Sequence, residues 1–208
     1  MTDNGIIYYV PYSRNRGILK IDTNTDTATE LDVNLLPEQG WDMWTSCALA
    51  LDGCIYFIPL NARRIMKLDP NNSDAIASVG DDLGRDSDKY SGTVLGIDGC
   101  VYGIPKRSTR ILKYDPINHV ASFVGEEADK EFFCIGSGAV GRDGCIYMIT
   151  HDCKVLKIDA TNNSHCFVGN SVESDHTQYN ILYSQGWGDA ILEIGVASVG
   201  RHLMPNVL

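Results

Sequence analysis

Cysteine and histidine are the side chains of this sequence with the widest chemistry, because they serve as nucleophiles, proton carriers and metal ligands. The chain of 208 residues has seven Cys and five His. No two cysteines have the CxxC spacing of a zinc site, and no nucleophile motif accompanies a histidine. The acidic stretches lack the Asp/Asn-x-Asp-x-Gly order of a calcium loop. The sequence therefore predicts no catalytic residues, no metal site and no cofactor.

Three of the cysteines lie at one position of an internal repeat. The phrase DGC-[IV]-Y-x-I-[PT] is found at residues 52–59, 98–105 and 143–150, and each copy is followed by an apolar phrase that contains Lys and ends in Asp. A weaker copy begins at residue 4, so that successive copies are 48, 46 and 45 residues apart. Repeats of this length are typical of propeller blades. The cysteines that the repeat predicts to be small buried thiols are Cys54, Cys100 and Cys145.

Within one repeat the pattern predicts four strands, named A to D in chain order. In the third copy an apolar run at 93–97 is strand A, and Asp98-Gly99 is predicted to form a two-residue type I′ turn into strand B at 100–104. After a polar loop, 111–114 forms strand C and 120–124 forms strand D. Such a meander has no core of its own, so it must stack on neighbouring units.

The predicted fold is therefore an all-β propeller of about four four-stranded antiparallel blades, in one domain that spans 1–208. No stretch is apolar and long enough to span a bilayer, and the N-terminal residues do not form a secretion signal. We therefore expect an intracellular, cytoplasmic protein. The repeat units are expected at about 4–51, 52–97, 98–142 and 143–188, and a tail follows at 189–208.

The first repeat begins at strand B, so its strand A must come from elsewhere. Residues 181–186 lie one period beyond the last strand A and have strand character. We expect this C-terminal strand to pair with residues 6–10 and to close the ring of four blades, which removes two exposed sheet edges. The alternative is that the chain is an open fragment of a larger propeller. The protein is expected to be a monomer, or a dimer if one chain does not close the ring.

The repeated phrase DG-C-I-Y-x-I-P, followed by R-I-x-K-x-D-P, resembles the repeat of the NHL, SMP-30/gluconolactonase and virginiamycin B lyase-like propellers. It is most similar to the tandem DGCIYGIP-type repeats of marine algal proteins. The resemblance covers residues 4–188 and implies propeller blades. The lactonases and lyases of this superfamily carry their catalytic side chains on particular loops, and none of those side chains matches a residue here.

Function is expected in the loops at one end of the blades. Because each strand reverses direction, the B–C loops and the D–A connections are predicted to share one face; the former are basic and the latter acidic. The charges of these loops either form a binding surface or only pair with each other. The aromatic residues before strand A either bind a ligand or only fill space between blades. The predicted ligand- or partner-binding residues are Trp44, Tyr90, Phe133, Tyr179, Arg63, Arg107 and His151.

A net charge of −10 without a basic stripe argues against nucleic acid as a partner, and no membrane contact is expected. The sequence favours a non-catalytic binding or scaffold module that presents the mixed-charge face to a protein or small-molecule ligand. The alternative is an enzyme similar to the SMP-30 or lyase propellers that uses the mouth of the central channel. Such an enzyme would be a lactonase, a lyase or a sugar-processing enzyme. An enzyme requires a pocket with converging polar groups and perturbed pKa values, whereas a scaffold has a flat rim.

Overall fold

The structure is a computed structural model that describes residue 2 and residues 4–10, 17–33 and 42–169. Every helix or strand assigned in these ranges is a β-strand. The strands are β1 (Ile6–Tyr9), β2 (Ile18–Asp22), β3 (Thr27–Leu31), β4 (Trp44–Leu49), β5 (Ile55–Pro59), β6 (Ile65–Asp69), β7 (Ala75–Val79), β8 (Tyr90–Leu95), β9 (Val101–Pro105), β10 (Ile111–Asp115), β11 (Val120–Val124), β12 (Cys134–Val140), β13 (Ile146–Thr150), β14 (Val155–Asp159) and β15 (Ser164–Val168).

Four antiparallel sheets follow one another along the chain. β1 to β3 form a three-stranded sheet, and β4 to β7, β8 to β11 and β12 to β15 each form a four-stranded sheet. Hydrogen-bonded neighbours are consecutive in sequence, as in a meander. We call these sheets blades 1 to 4, and blade 1 is described from strand B onward. The predicted four-stranded units are confirmed for blades 2 to 4.

The turns between strands A and B differ from the prediction. In blade 3 the amide of Gly96 donates to the carbonyl of Cys100 at 2.9 Å, and the amide of Gly99 donates to the carbonyl of Gly96 at 3.1 Å. Three residues therefore form the loop, and of these Gly99 alone has a positive φ, +77°. This is a type I turn followed by a left-handed residue, so the predicted two-residue type I′ turn is wrong. Asp98 has no positive φ, and its carboxylate accepts a hydrogen bond from the Cys100 amide at 3.2 Å. The equivalent left-handed glycines are Gly53 and Gly144.

Each blade packs on its two neighbours through alternate side chains, because successive residues of a strand point to opposite sides of the sheet. We call the side that packs on the next blade the forward face, and in blade 2 it is formed by Cys54, Tyr56, Ile58 and Ile65. The opposite side is the rear face, and in blade 3 it is formed by Tyr90, Val101, Leu112 and Tyr114. These two faces pack together as one apolar cluster.

The same pairing of faces recurs at the other two boundaries between blades. The forward face of blade 1, which includes Tyr8 and Ile18, packs on the rear face of blade 2. The forward face of blade 3, which includes Tyr102 and Ile104, packs on Met148 and other rear-face residues of blade 4. The core is thus a series of equivalent layers between sheets. The three repeated cysteines are buried as predicted, and Cys54 and Cys100 belong to these layers.

The A strands of adjacent blades approach each other closely through small residues. The hydroxyls of Ser46 and Thr93 are 2.5 Å apart across the boundary between blades 2 and 3, and Ser137 of blade 4 donates to the carbonyl of Thr93 at 3.3 Å. A Cβ on Gly92 would lie 2.6 Å from the carbonyl oxygen of Gly136. Small polar residues in strand A therefore allow the inner strands to meet.

The predicted pairing of residues 181–186 with β1, and the predicted tail at 189–208, lie outside the described residues. That part of the prediction stays a prediction.

Candidate binding face

The B–C loops and the D–A connections lie on one face of the molecule. Arg63 of the first B–C loop described forms an ion pair with Asp82 of the following D–A connection. In the next blade Arg110 forms an ion pair of 2.6 Å with Glu127. These contacts confirm the predicted phasing of the strands, in which carboxylates of the D–A connections come within reach of B–C arginines.

A continuous series of backbone hydrogen bonds runs across this face from blade to blade. After the first residue, the amide of each residue in the series donates a hydrogen bond to the carbonyl of the preceding residue in the series, over distances of 2.7 to 2.9 Å. The series alternates between the residue that precedes strand A and the residue that follows strand B, so it ties each inner strand to both of its neighbours. We call it the loop ladder, and in spatial order its residues are Met43, Leu60, Lys89, Lys106, Phe133 and His151.

Two of the predicted site aromatics are core residues. Trp44 and Tyr90 are each 3% exposed. The indole nitrogen of Trp44 donates to the carbonyl of Arg64 at 3.2 Å, and burial raises the pKa of the Tyr90 hydroxyl to about 12. Both side chains therefore fit the alternative in which aromatics at this position fill the space between blades.

Phe133 differs from these two because it occupies another position of the repeat. Cys134 pairs with Thr150 in blade 4 in the way that Tyr90 pairs with Pro105 in blade 3. Cys134 is therefore the equivalent of Tyr90, and Phe133 is the equivalent of Lys89. Phe133 is ten residues before the turn Asp143, whereas Tyr90 is eight residues before Asp98. The irregularity in β12 contains two extra residues and that in β8 contains one, so Phe133 lies one position before the equivalent of Tyr90.

Phe133 is exposed and has an unusual backbone conformation. Its side chain is 42% exposed, and its φ is +49°, in the left-handed region that bulky residues rarely adopt. Its amide donates to Lys106 and its carbonyl accepts from His151, so the loop ladder holds this conformation from both sides. Backbone strain of this kind is concentrated at functional sites.

Arg107 lies over the ring of Phe133, with its guanidinium carbon 6.0 Å from the ring centroid. Arg107 is exposed, and no carboxylate of the described residues forms an ion pair with it. His151, whose amide donates to the carbonyl of Phe133, is also exposed. We call Phe133, Arg107 and His151 the Phe133 platform.

The remaining predicted site residues do not join this platform. Arg63 belongs to the B–C loop of blade 2, where Asp82 neutralises it. Tyr179 lies outside the described residues. The structure thus brings together three of the seven predicted residues.

Lys89 is a buried cation on the loop ladder that the sequence analysis did not single out. It is 4% exposed, and its ammonium donates to the carbonyl of Asp86 at 2.7 Å. Burial lowers its pKa below the ordinary value for lysine, although the nearby Asp86 opposes the shift. The sequence contains a signal for this burial. Lys89 directly precedes strand A, and the equivalent residue of blade 2 is the apolar Met43.

A second polar constellation, also missed, repeats on the opposite face. In each of blades 2 to 4 the Asp of the A–B turn accepts a hydrogen bond from the Tyr of strand B, at 2.7 to 2.8 Å. In blades 3 and 4 the Lys of strand C also binds this carboxylate, at 2.8 Å to Asp98 and 2.9 Å to Asp143. The pairs of Asp and Tyr are Asp52 with Tyr56, Asp98 with Tyr102, and Asp143 with Tyr147.

Blade 1 obtains the same carboxylate from its neighbour. It has Asn4 where the other repeats have the turn Asp. Asp74 of blade 2 accepts a hydrogen bond from Tyr8 at 2.5 Å and forms an ion pair with Lys20. Burial and the bond to Asp74 together raise the pKa of Tyr8. The constellation therefore joins strands and blades, and its role is structural.

A surface pocket of about 370 Å³ lies between the outer strands of blades 1 and 2. It is lined by the end of β3 and the start of β7, with Glu30, Asp32 and Asp74 among its residues. It is distant in sequence from the Phe133 platform and belongs to other blades.

Within the described ranges, no group of three or more His, Cys, Asp or Glu side chains could hold a metal ion. Likewise, no helix in that part of the chain is long and apolar enough to cross a membrane.

Comparison with known proteins assigns the fold. No protein-family model matches the sequence, and no curated protein matches it significantly. Among solved structures, virginiamycin B lyase from Staphylococcus aureus is 15% identical with a TM-score of 0.67, over 86% of this chain and 56% of that one. A hydrazine synthase from Kuenenia stuttgartiensis is 17% identical with a TM-score of 0.64, over 88% and 51%. An auxiliary nutrient binding protein from Bacteroides thetaiotaomicron is 11% identical with a TM-score of 0.56, over 85% and 42%.

The class that the fold defines is the β-propeller, with four blades in the described part of this chain. Virginiamycin B lyase-like propellers are among its structural neighbours, as the repeat predicted, although the identities are too low to show more than the fold. The chain spans about half the length of virginiamycin B lyase and of the hydrazine synthase, and 42% of the nutrient binding protein. The predicted likeness to DGCIYGIP-type algal repeats has no support from these comparisons.

Proposed function

We propose that the protein is a non-catalytic binding module that uses the loop face of its propeller, with the Phe133 platform as the contact site. The observation that carries this proposal is the exposure of Phe133 in a left-handed conformation, beneath an arginine that no described carboxylate neutralises. Elsewhere on this face Arg63 and Arg110 are paired with acids. Among the described residues, no carboxylate therefore competes with a ligand for Arg107.

The chemistry of the platform favours a ligand that carries a carboxylate next to a flat apolar group. A guanidinium that packs one face on an aromatic ring keeps its edge N–H groups free, and these match a carboxylate in bidentate geometry. The exposed ring of Phe133 offers the apolar contact. Acidic peptide side chains and small organic acids both have this chemistry.

The structural neighbours support a binding role at the level of the fold. One of them is named an auxiliary nutrient binding protein, and another is the extracellular domain of a putative one component system. Because folds host many functions, the argument for this chain rests on the platform and not on the names of the neighbours.

The proposal is tested with benzoate as the probe, by nuclear magnetic resonance of the nitrogen-15-labelled protein. We expect saturable shifts of the Arg107 Nε–H signal and of the His151 amide, and we expect none with benzylamine, whose charge is opposite. Arg107→Ala and Phe133→Ala should each abolish the shift of the His151 amide. Arg142→Ala is the matched control, because Arg142 is exposed on the A–B turn of the opposite face. Shifts that are absent, or equally lost in the control, would contradict the proposal.

A second candidate function is an enzyme of the lactonase, lyase or sugar-processing type, and Lys89 is the observation that favours it. A buried lysine with a lowered pKa is the form in which lysine acts as a general base. The test is hydrolysis of δ-gluconolactone above the spontaneous rate. A rate that Lys89→Met removes supports the enzyme, and a rate equal to the background leaves the binding module.

A further inference from the structure

The two ends of the series of blades carry apolar faces that no described residue covers. In interior blades the forward and rear faces are both buried by a neighbouring blade. Among the described residues, blade 4 has no following blade and blade 1 has no preceding blade. The two uncovered apolar faces are therefore the forward face of blade 4 and the rear face of blade 1.

The forward face of blade 4 is more exposed than its equivalents. Tyr102, Ile104 and Ile111 of blade 3 are each 0% exposed. The corresponding residues of blade 4 are Tyr147, Ile149 and Val155, and all three are only partly buried. These residues are nevertheless of the types found on a buried face, since the repeat has a tyrosine and aliphatic residues at the same positions in blade 3.

The rear face of blade 1 shows the same difference more strongly. Phe57 and Met66 of blade 2 are each 0% exposed, because blade 1 covers them. Their equivalents in blade 1 are Tyr9, which is 55% exposed, and Leu19, which is 40% exposed. Large apolar side chains on one side of a sheet are a surface that normally receives a partner.

We propose that two copies of this chain assemble head to tail into a closed ring, with the forward face of blade 4 in each copy packed on the rear face of blade 1 in the other. The interface is the one that the molecule already contains at each internal boundary, so its complementarity is built into the repeat. A contact between two different patches closes into a ring when the rotation between copies allows it.

The number of blades fits this assembly. The matched part of this chain corresponds to 56% of virginiamycin B lyase, so the described blades correspond to about half of a propeller of that kind. The loop face of a single copy is then half of the face in the assembled ring.

The experiment measures the mass of the full chain in solution by light scattering and analytical ultracentrifugation. We expect twice the 22.9 kDa of one chain. Leu19→Glu and Val155→Glu each place a charge in both interfaces of the ring, and we expect either variant to raise the dissociation constant by about 100-fold or more. Ile117→Glu is the matched control, because Ile117 is 80% exposed on a C–D turn and lies outside both faces. Circular dichroism should show that all three variants remain folded.

Mixing the two variants distinguishes this arrangement from other dimers. Leu19→Glu keeps an intact forward face and Val155→Glu keeps an intact rear face, so the mixture should recover one interface and form a heterodimer. A dimer that survives Val155→Glu, or a mixture that stays monomeric, would overturn the head-to-tail ring. So would a monomeric full chain that dimerises only after removal of residues 170–208, because those residues would then cover the faces.

Discussion

The hydroxyl of Tyr102 donates a hydrogen bond of 2.8 Å to Oδ2 of Asp98, across the turn that joins strands A and B of blade 3. Tyr102 is fully buried, and the same oxygen of Asp98 binds Lys113 at 2.8 Å. The tyrosine therefore links the core to the polar turn. Burial and this bond to Asp98 raise the pKa of Tyr102, so the hydroxyl keeps its proton and remains a donor.

Tyr102→Phe should lower the free energy of unfolding by about 1–3 kcal/mol, because it removes a hydrogen bond to a charged group at the edge of the core. Tyr147→Phe is the matched control when both tyrosine variants are measured on the monomeric Leu19→Glu protein, since Tyr147 makes the same bond in blade 4 but is only partly buried within one chain. Water can replace its hydroxyl, so we expect a loss of less than about 1 kcal/mol. Urea denaturation measures both values, and equal losses would show that burial does not set the strength of this contact.

The stability of the fold should fall in acid partly through Asp98. Burial alone would raise the pKa of this carboxyl, but hydrogen bonds from Lys113, Tyr102 and the Cys100 amide outweigh it and lower the pKa. A carboxyl whose pKa is lower in the folded state stabilises the fold above its unfolded pKa of about 3.9. That contribution is lost as the pH falls from about 4 through the folded pKa.

The measurement is the melting temperature of the wild type and of Asp98→Asn between pH 7 and pH 2.5. The variant should be less stable at neutral pH, and the difference should shrink below about pH 4. Asp129→Asn serves as the control, because Asp129 is exposed in a D–A connection and the structure shows no hydrogen bond or ion pair for it among the described residues. A difference that is constant across the pH range would contradict the role of Asp98.

Gly144→Ala should destabilise the protein through two separate effects. Its φ is +79°, so any Cβ adds about 1–2 kcal/mol of strain. The new Cβ would also lie 2.4 Å from Cδ1 of Ile97 in the preceding blade, which must move. Gly136→Ala isolates the first effect, because Gly136 has a φ of +67° and nothing within 4 Å of the built Cβ.

Gly144→Ala should therefore cost more than Gly136→Ala, and Ile97→Ala combined with Gly144→Ala should recover the difference. Chemical denaturation of the four proteins checks this. No recovery in the double variant would mean that Ile97 does not lie on the turn of the next blade.

The thiols should react with a maleimide at very different rates. Burial raises the pKa of Cys100 to about 11 and that of Cys134 to about 12, and both side chains lie in the core. Cys166 is exposed on β15. Because the thiolate is the reactive form, Cys166 should be modified first and the two buried thiols only when the protein opens. Mass spectrometry of peptides at successive times gives the order, and urea should abolish the difference.

The sequence by itself determined the features that depend on contacts within one repeat. Alternating apolar residues and Asp-Gly turns specify the strands of blades 2 to 4 and their order, because side-chain alternation and left-handed glycines act over a few residues. The burial of the repeated cysteines and the meeting of B–C arginines with D–A carboxylates follow from the same periodicity. The wrong turn type shows the limit even here, since Asp98 and Gly99 fit both two-residue and three-residue loops.

Only the tertiary structure decided which aromatic residues are available for binding. Trp44, Tyr90 and Phe133 are all aromatic residues near the start of strand A, yet the register of β12 places Phe133 one position before the equivalent of Tyr90 and leaves it exposed. The replacement of the missing turn carboxylate of blade 1 by Asp74 of blade 2 was equally hidden, because it joins residues from different repeats. Contacts between blades depend on the packing of whole sheets, and local patterns carry no record of that packing.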